Sequence, residues 1–395
     1  MISNVRELTI DKCTGCSLCL QICPFQAIKM VENTEGFMIP SVDSEKCKEC
    51  GKCAKACPSI HSLEKRFPLQ SILCLSKDTI IDKSASGGFF STIAKYFITE
   101  LHGVVFGVIF DNEFTCLHTE AETIDQLLPM RNSKYVQSNV NDVYAKVKER
   151  LLINRNVLFS GTPCQVAALK SFLGKDYNNL LTIDVVCHGV PNQKYWKKYI
   201  AHIKGNGTIQ SYLFRNRGNK RTWNPASRVP RRGTLEATIV ASWGEKRIPA
   251  RKDCFYGPFV KNESFRESCY RCQYATQKRV SDITMGDCDS EKNYPNFYPY
   301  ESKSIVLLNT EQGASFWTRI QDRFESISLD YEKEYIVNTP LSLPSTRPPR
   351  RDCIYKDLYK LPWWAFNIKY TDHITLRQIL GRIKSTLINT IKHGK

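Results

Sequence analysis

The chain has 395 residues, of which 42% are hydrophobic, and its formal net charge is +17. That length accommodates a small module and one or two larger domains, and the longest apolar run, residues 103–110, is far too short to cross a bilayer. Seventeen cysteines without a recognisable signal peptide indicate a reducing, cytoplasmic compartment and argue against a disulfide-stabilised secreted protein.

The positive charge is concentrated in two segments. Residues 1–62 carry seven basic and seven acidic side chains, residues 211–280 carry sixteen and five, and residues 346–395 carry eleven and three. Such basic segments suit an anionic substrate, cofactor phosphates, acidic lipid or an acidic electron-transfer partner. We expect no nucleic-acid binding, because residues 215–232 lack regularly interleaved aromatic side chains and no nucleic-acid module occurs.

Two cysteine runs of the form C-x2-C-x2-C-x3-C-P, at 13–24 and 47–58, occupy the N-terminal segment. The second run repeats the first with an offset of 34 residues, which indicates an internal duplication. Three thiolates of such a run hold one 4Fe-4S cluster and the fourth reaches the other cluster, whereas zinc sites usually lack the third C-x2 step and the C-P ending. Residues 1–62 therefore resemble a bacterial dicluster ferredoxin domain. We assign one cluster to Cys13, Cys16, Cys19 and Cys57, and the other to Cys47, Cys50, Cys53 and Cys23.

A polar linker is predicted for residues 63–71. It is followed at 84–97 by SASGGFFSTIAKYF, in which two glycines precede a predicted amphipathic helix. Free N–H groups at such a helix start can bind phosphate. Alone, however, an SGG pattern more often marks a helix cap.

Two later units repeat one layout, in which a buried strand is followed by a cysteine and a helix. The predicted strands are NVLFS at 156–160 and LLTIDVV at 180–186, and they are followed by GTPCQ and CHGVP. Cys164 and Cys187 thus lie just past strand ends, which is the edge where ligands bind in open α/β sheets. Each alone suits a small buried residue. Together with the C-x2-C pair in SCYRCQY they would supply four ligands for a third cluster.

Five motifs in fixed order, SGGFFST, NSKYVQS, GTPCQ, CHG and SCYRC followed by SDITMGD, resemble the beta-subunit family of coenzyme F-420 (deazaflavin) hydrogenases and dehydrogenases. That family includes plant 7-hydroxymethyl chlorophyll a reductase. The resemblance implies an α/β fold (α+β overall), in which the ferredoxin domain precedes a mixed α/β domain with parts at 72–150 and 151–345.

The resemblance also implies FAD with one 4Fe-4S cluster beside it. The implied ligands of that third cluster are Cys164, Cys187, Cys269 and Cys272. The implied flavin contacts are Ser86, Gly87, Gly88, Lys134, Tyr135, Gly161, Thr162, Pro163 and Gln165.

These features predict a cytoplasmic iron–sulfur flavoenzyme with three 4Fe-4S clusters and FAD. It would pass electrons from ferredoxin or another low-potential donor to an organic substrate. The fused ferredoxin domain and the CHG motif resemble a reductase branch, some members of which accompany polysaccharide biosynthesis, so we expect an anionic metabolite or glycan precursor. The alternative is a deazaflavin-oxidising electron-transfer subunit of a larger complex. A homo-oligomer is compatible with both.

Two further groups of residues are candidates for substrate chemistry. His188 could donate a proton, or could fix its loop by hydrogen bonding. The loop FRNRGNKRTW at 214–223 suits either a clamp for a phosphate or carboxylate or a solvated charged turn. Its candidate substrate-binding residues are Arg215, Arg217, Lys220 and Arg221.

Residues 346–395 are predicted to form a basic tail that contains an amphipathic helix at 375–395, with LPWWAF upstream. The basic and aromatic residues suit peripheral contact with the inner face of a membrane. Docking of the same helix on the protein body is the commoner use of such a pattern.

Overall fold

The protein is described by a computed structural model that covers residues 4–78, 84–215, 235–298 and 302–372. The α-helices in these ranges are α1 (Leu18–Ile22), α2 (Lys52–Ala56), α3 (Phe89–Thr99), α4 (Ile124–Leu127), α5 (Val143–Leu152), α6 (Pro163–Leu173), α7 (Gln193–Lys204), α8 (Tyr256–Val260), α9 (Glu311–Ile320), α10 (Tyr331–Val337), α11 (Arg351–Lys360) and α12 (Trp363–Tyr370).

Within the same ranges, the β-strands belong to three separate sheets. In chain order they are β1 (Ile28–Glu32), β2 (Met38–Val42), β3 (Gln70–Ser76), β4 (Val104–Phe110), β5 (Cys116–Ala121), β6 (Val157–Gly161), β7 (Leu180–Val185), β8 (Ile209–Leu213), β9 (Glu236–Ala241), β10 (Gly244–Pro249), β11 (Ile283–Asp287), β12 (Ser304–Leu308) and β13 (Phe324–Ser328).

An eight-stranded mixed sheet of order β13-β3-β12-β11-β7-β6-β4-β5 forms the centre of the fold. Its strands β11, β7, β6 and β4 pair in parallel, while β5, β12 and β13 run antiparallel to their neighbours. The mixed α/β fold predicted from the sequence is therefore confirmed, as are the buried strands expected at 156–160 and 180–186.

Alternate residues of the central strands enter two different cores. Val105 and Leu158 pack with α3 and α9 on one face, whereas Val104, Phe106 and Phe159 pack with α5 and α6 on the other. Because helices cover both faces, these strands carry continuous apolar runs instead of an apolar and polar alternation. The arrangement leaves the strand ends as the place for functional side chains.

A third core is rich in aromatic rings and joins the β8–β9–β10 sheet to α7, α8, α11 and α12. Tyr355 and Phe366 are buried in it, so α11 and α12 belong to the body of the protein. Trp363 stacks on His202 at 4.5 Å between ring centroids, and Trp364 remains 69% exposed.

The amphipathic helix predicted at 375–395 lies outside the described residues. Among the residues that are described, no helix has the length and apolar character needed to span a membrane.

The N-terminal module consists of the β1–β2 hairpin and the short helices α1 and α2. It docks firmly on the body, because the fully buried guanidinium of Arg351 binds both carboxylate oxygens of Glu35 at 2.7 Å. The predicted linker also packs against the body of the protein. Lys65 donates to the Gln273 carbonyl at 2.6 Å, Arg66 pairs with the backbone of Arg279, and β3 already begins within the linker.

We expect Glu35→Gln to destabilise the docked module by about 2 kcal/mol, because it leaves the buried Arg351 cation without its bidentate partner. Urea unfolding of the cluster-loaded protein, followed by its visible absorbance, measures the change. Glu32→Gln is the matched control in the same hairpin. Its pair with Lys194 is nearly half exposed, so the loss should stay below about 1 kcal/mol. Equal losses in the two variants would contradict the assigned role of Arg351.

Candidate functional site

The cysteines predicted to hold the first cluster lie around one internal cavity. We call them the proximal set: Cys13, Cys16, Cys19 and Cys57. Burial raises the pKa of the Cys16 thiol to about 11, and the neighbouring thiolates of Cys57 and Cys13 add to the rise. Cys57 is thus within electrostatic reach of the other three, although 38 residues separate it from Cys19 in the chain.

The chemistry of the proximal set fits an iron–sulfur cluster. Apolar side chains such as Val5 and Met30 line the rest of the cavity, and backbone N–H groups after Cys16, Cys19 and Cys57 point at the sulfurs. Such N–H donors stabilise thiolate ligands. Within the described ranges, no group of three or more His, Cys, Asp or Glu side chains is placed to bind a single metal ion. The cysteine sulfurs that bind a 4Fe-4S cluster, by contrast, lie farther apart than the ligands of a single metal ion.

The second predicted group, Cys23, Cys47, Cys50 and Cys53, is the distal set. Asn4 lies against it, since its Nδ2 donates to Cys47 Sγ at 3.4 Å and its Oδ1 accepts from Cys53 Sγ at 3.8 Å. The backbone N–H of Ala27 donates to Cys23 Sγ at 3.4 Å. Cys50 is exposed, so this end of the module faces solvent.

The cysteines predicted for a third cluster also lie together. We call Cys164, Cys187, Cys269 and Cys272 the third set. Burial raises the pKa of the Cys187 thiol, and the charges of Cys269, Cys164 and Cys272 add to the effect. Burial raises the pKa of Cys269 to about 12. Cys164 is the second residue of α6 and Cys187 follows the end of β7, so both lie at the carboxyl edge of the central sheet.

Two buried tyrosines lie between the proximal and third sets. Burial raises the pKa of Tyr274, and thiolates of both sets, Cys164 and Cys16 foremost, contribute to the rise. The hydroxyl of Tyr144 donates to the Cys16 carbonyl at 3.1 Å, and Cys16 and Cys164 both act on its pKa after burial. The two sets are therefore neighbours across the contact between the module and the body.

A cavity of about 660 Å³ opens at the same carboxyl edge of the sheet. Its wall combines cationic, amide and apolar side chains, and it includes two residues that sequence reasoning singled out, Lys134 and Arg215. Ser84 and Ala85, just before the SGG motif, also line it, and the Ala85 N–H donates to Asn132 Oδ1 at 2.8 Å. We call this cavity the edge pocket.

The SGG motif packs closely against the central sheet next to the edge pocket. Ser86 Oγ donates to the Lys303 carbonyl at 3.1 Å, and Gly87 lies so close to β12 that a Cβ there would be 2.5 Å from the Ser304 nitrogen. Gly88 has φ of +79° and is the N-cap of α3. The cap function of this motif is thus present, and α3 confirms the predicted helix.

The GTPCQ segment is held by its own hydrogen bonds. Gln165 Oε1 accepts from the N–H and the hydroxyl of Thr162 at 3.0 Å, which closes a capping box at the start of α6. Gln165 Nε2 donates to Ser138 Oγ at 2.9 Å, and Ser138 contacts the buried His118. Gly161 is the last residue of β6 and Pro163 the first of α6. None of the motif's residues is among those lining the edge pocket.

Lys134 has an unusual environment at the rim of the edge pocket. Its Nζ donates to the carbonyls of Pro129 at 2.6 Å and Arg131 at 2.7 Å. Desolvation lowers its pKa from 10.5 to about 7, with Cys116 opposing the shift and Arg131 adding to it. The neighbouring Tyr135 is stacked on Phe259, with 4.3 Å between ring centroids.

The substrate candidates divide between described and undescribed residues. Arg215 is nearly buried, forms an ion pair with Asp287 at the end of β11, and has an Nε without a partner among the described residues. Arg217, Lys220 and Arg221 lie outside the described residues. His188 is exposed, and its carbonyl accepts a hydrogen bond from Ser345 at 2.6 Å.

The residues beside the cysteine sets that sequence reasoning missed include Asn4, Tyr144, Tyr274 and Arg266. Tyr274 lies two residues after Cys272, and Arg266 lies three residues before Cys269. Nearness to a cysteine motif was the one available signal. Nearness in sequence does not reveal which side chains point towards a cysteine set formed by another part of the chain.

Gly189 in the CHG motif shapes the loop that carries Cys187. Its φ is +145°, and a Cβ would lie 2.4 Å from the ring of Phe265. We expect Gly189→Ala to displace the loop, to lower the thermal midpoint and to remove up to about four irons per chain. Gly174→Ala is the control, because that glycine has a positive φ of +69° but no atom within 4 Å of its added Cβ. Iron content that falls equally in both variants would contradict a specific role for the CHG loop.

Two known families match parts of the chain. Residues 12–60 match the 4Fe-4S dicluster domain, and residues 154–330 match the family described as the C terminus of the coenzyme F420 hydrogenase/dehydrogenase beta subunit. The comparison with curated proteins found no match.

Among solved structures, the chain is similar to one from the F420-reducing nickel–iron hydrogenase complex of Methanosarcina barkeri, studied by xenon derivatization. The identity is 15%, the match covers 69% of this chain and 91% of that one, and the TM-score is 0.45. The chain thus combines a match to the 4Fe-4S dicluster domain near its N-terminus with a match to the coenzyme F420 hydrogenase/dehydrogenase beta-subunit family over residues 154–330.

Proposed function

We propose that the protein is an iron–sulfur flavoenzyme that passes electrons between its dicluster domain and an organic substrate. In this proposal the third set holds a further 4Fe-4S cluster and the edge pocket holds FAD. The observation that carries the proposal is the position of the third set. It lies beside the proximal set, across Tyr274 and Tyr144, and at the same sheet edge as the edge pocket.

The edge pocket fits a flavin nucleotide in size and chemistry. Its volume lies within the usual range for cofactor sites. Lys134, Arg131 and Arg215 supply positive charge for phosphates, while Phe110 and Phe114 supply apolar surface. Bound FAD would exchange single electrons with clusters and an electron pair with an organic substrate.

The exposure of the three sets suggests an order of electron transfer. The distal set is open to solvent at Cys50, whereas the four cysteines of the third set are only partly exposed. We infer that ferredoxin or another low-potential donor meets the distal set, and that electrons pass inwards through the proximal and third sets. The buried tyrosines keep water out of the contact between these two sets.

The substrate proposed here is an anionic metabolite or glycan precursor. Cations at the edge pocket suit such a molecule, and the described Arg215 keeps one N–H free of protein partners in the described ranges. The free thiols suit a reducing cytoplasm. Contact with the inner face of a membrane would depend on residues 375–395, and a homo-oligomer is compatible with the proposal.

The family match supports a second function. A member of the coenzyme F420 hydrogenase/dehydrogenase beta-subunit family could oxidise reduced deazaflavin and load the dicluster domain, as one component of a larger complex. The two functions use the same cofactors in opposite directions. Adding reduced deazaflavin to the oxidised protein under anaerobic conditions distinguishes them, because cluster bleaching by deazaflavin alone would favour the second.

The proposal requires that the third set bind a cluster. We expect Cys269→Ser to remove about four of twelve irons per chain and to block flavin reduction by the dicluster domain. Iron content, flavin content and the rate of flavin bleaching are measured together. Cys353→Ser is the control, because Cys353 is exposed on α11 and belongs to no set. Unchanged iron and flavin reduction in Cys269→Ser would refute the proposal.

The proposal also predicts how flavin binding depends on pH. Neutral Lys134 has two N–H donors, and both are used by the carbonyls of Pro129 and Arg131, so only the protonated form has a third donor for a phosphate. Because its pKa is lowered to about 7, FAD affinity should rise several-fold as the pH falls from 8 to 6.

Fluorescence titration of the flavin-free protein with FAD at both pH values tests this expectation. Lys134→Met should bind FAD weakly at both. Lys146→Met should behave as wild type, because Lys146 is exposed and pairs with Asp142 away from the pocket. A pH dependence that survives in Lys134→Met would assign the titration to another group.

A further inference from the structure

Arg266 is a buried cation that the body of the protein inserts into the ferredoxin module. Only 1% of its surface is exposed. Its Nε donates to the Cys13 carbonyl at 2.7 Å and its Nη2 to the Met38 carbonyl at 2.7 Å, while its Nη1 donates to Gln137 Oε1 at 3.1 Å. The guanidinium also lies over the ring of Phe37, 5.4 Å from its centroid. These contacts hold the charge in one place.

The fixed charge lies next to a ligand of the proximal set. Nη2 of Arg266 is 3.7 Å from Cys13 Sγ, and the same side chain counteracts the effect of burial on the pKa of Cys269 in the third set. The backbone of the cysteine run allows this approach. Gly15 has φ of +66°, and a Cβ there would be 2.7 Å from Arg266 Nη1.

The duplicated cysteine run receives no such cation among the contacts of the described residues. The residue 34 positions after Gly15 is the exposed Glu49, and the counterpart of Cys13 is Cys47, whose described neighbour is the neutral amide of Asn4. Two ligand runs with the same cysteine spacing are therefore placed in different electrostatic environments. The asymmetry has two sources: the body of the protein supplies Arg266 to the first run, and the repeat itself carries Glu49 in place of Gly15.

A cluster that gains an electron becomes more negative, so its reduction potential depends on nearby charge, on hydrogen bonds to its sulfurs and on exposure to solvent. Burial of the proximal set disfavours the extra negative charge. A buried guanidinium favours it, and does so strongly because little water screens the interaction. The distal set faces solvent and has no equivalent cation among its described contacts.

We propose that Arg266 is a positioning residue that raises the reduction potential of the proximal cluster above that of the distal cluster. One electron then leaves the distal cluster, which is oxidised, and enters the proximal cluster, which is reduced, and no bond forms or breaks. The inference rests on the two clusters of the dicluster domain alone. It does not depend on the flavin or on the third set, so it can fail while the proposed function stands.

Anaerobic redox titration of the cluster-loaded protein, followed by electron paramagnetic resonance, tests the inference. Asn4→Asp assigns the signals, because a carboxylate beside Cys47 should lower the potential of the distal cluster alone. In the wild type we expect the other cluster of the domain to have the higher potential. Arg266→Gln should shift the electron equilibrium between these two clusters towards the distal one by about tenfold, which is about 59 mV for one electron.

Two variants separate the effect of the Arg266 charge from the effect of docking the ferredoxin module. Arg266→Lys keeps the cation and should restore most of the difference in potential. Arg351→Gln removes an equally buried arginine that holds the same module through Glu35 but makes no described contact with a ferredoxin cysteine, so it should change the difference much less than Arg266→Gln does.

A wild-type protein in which the proximal cluster has the lower potential would overturn the inference. So would equal shifts of both clusters in Arg266→Gln. If Arg266→Gln does not fold, the wild-type order of potentials and the Arg266→Lys result still decide the matter.

Discussion

The ring of Phe37 lies between two buried guanidinium groups. The position of the ferredoxin module on the rest of the protein depends on this contact. Arg266 and Arg351 lie over that ring at 5.4 and 5.9 Å, and Tyr355 packs edge-on against it at 5.2 Å. Burying two cations is costly unless each is fully paired. Here the carboxylate of Glu35 and several backbone carbonyls complete the pairing, so the module cannot leave without exposing unpartnered charge.

This docking joins the ferredoxin-type module to the rest of the protein. In the docked position the proximal set lies beside Tyr144 and Tyr274 and faces the third set. Electron transfer depends steeply on distance, and a rigid contact keeps that distance constant during turnover. The exposed distal set remains at the outer end, where a soluble partner can approach.

The basic residues of the chain have two roles, and the amino-acid composition does not distinguish between them. Part of the positive excess at residues 211–280 is internal: Arg279 forms a fully buried pair with Asp184 at 3.0 Å, and Arg266 serves the module contact. Another part, represented by Arg215, lines the edge pocket. A count of basic residues therefore overstates how much of this segment meets an anionic ligand, because buried cations are matched by partners inside the fold.

The sequence by itself determined the features that depend on local spacing. These are the two cysteine runs, the strands that precede Cys164 and Cys187, the helix after the SGG motif, and the mixed α/β fold. Thiolate spacing and apolar periodicity are properties of a few consecutive residues, so they can be read without the fold. Only the tertiary structure decided which side chains from distant segments meet. It placed Arg266 against Cys13, which is 253 residues away, and it packed the predicted linker and the rings of Phe366 and Tyr370 in α12 on the body. Such contacts depend on how whole elements dock, and no local pattern in the chain encodes the position of a partner from another element.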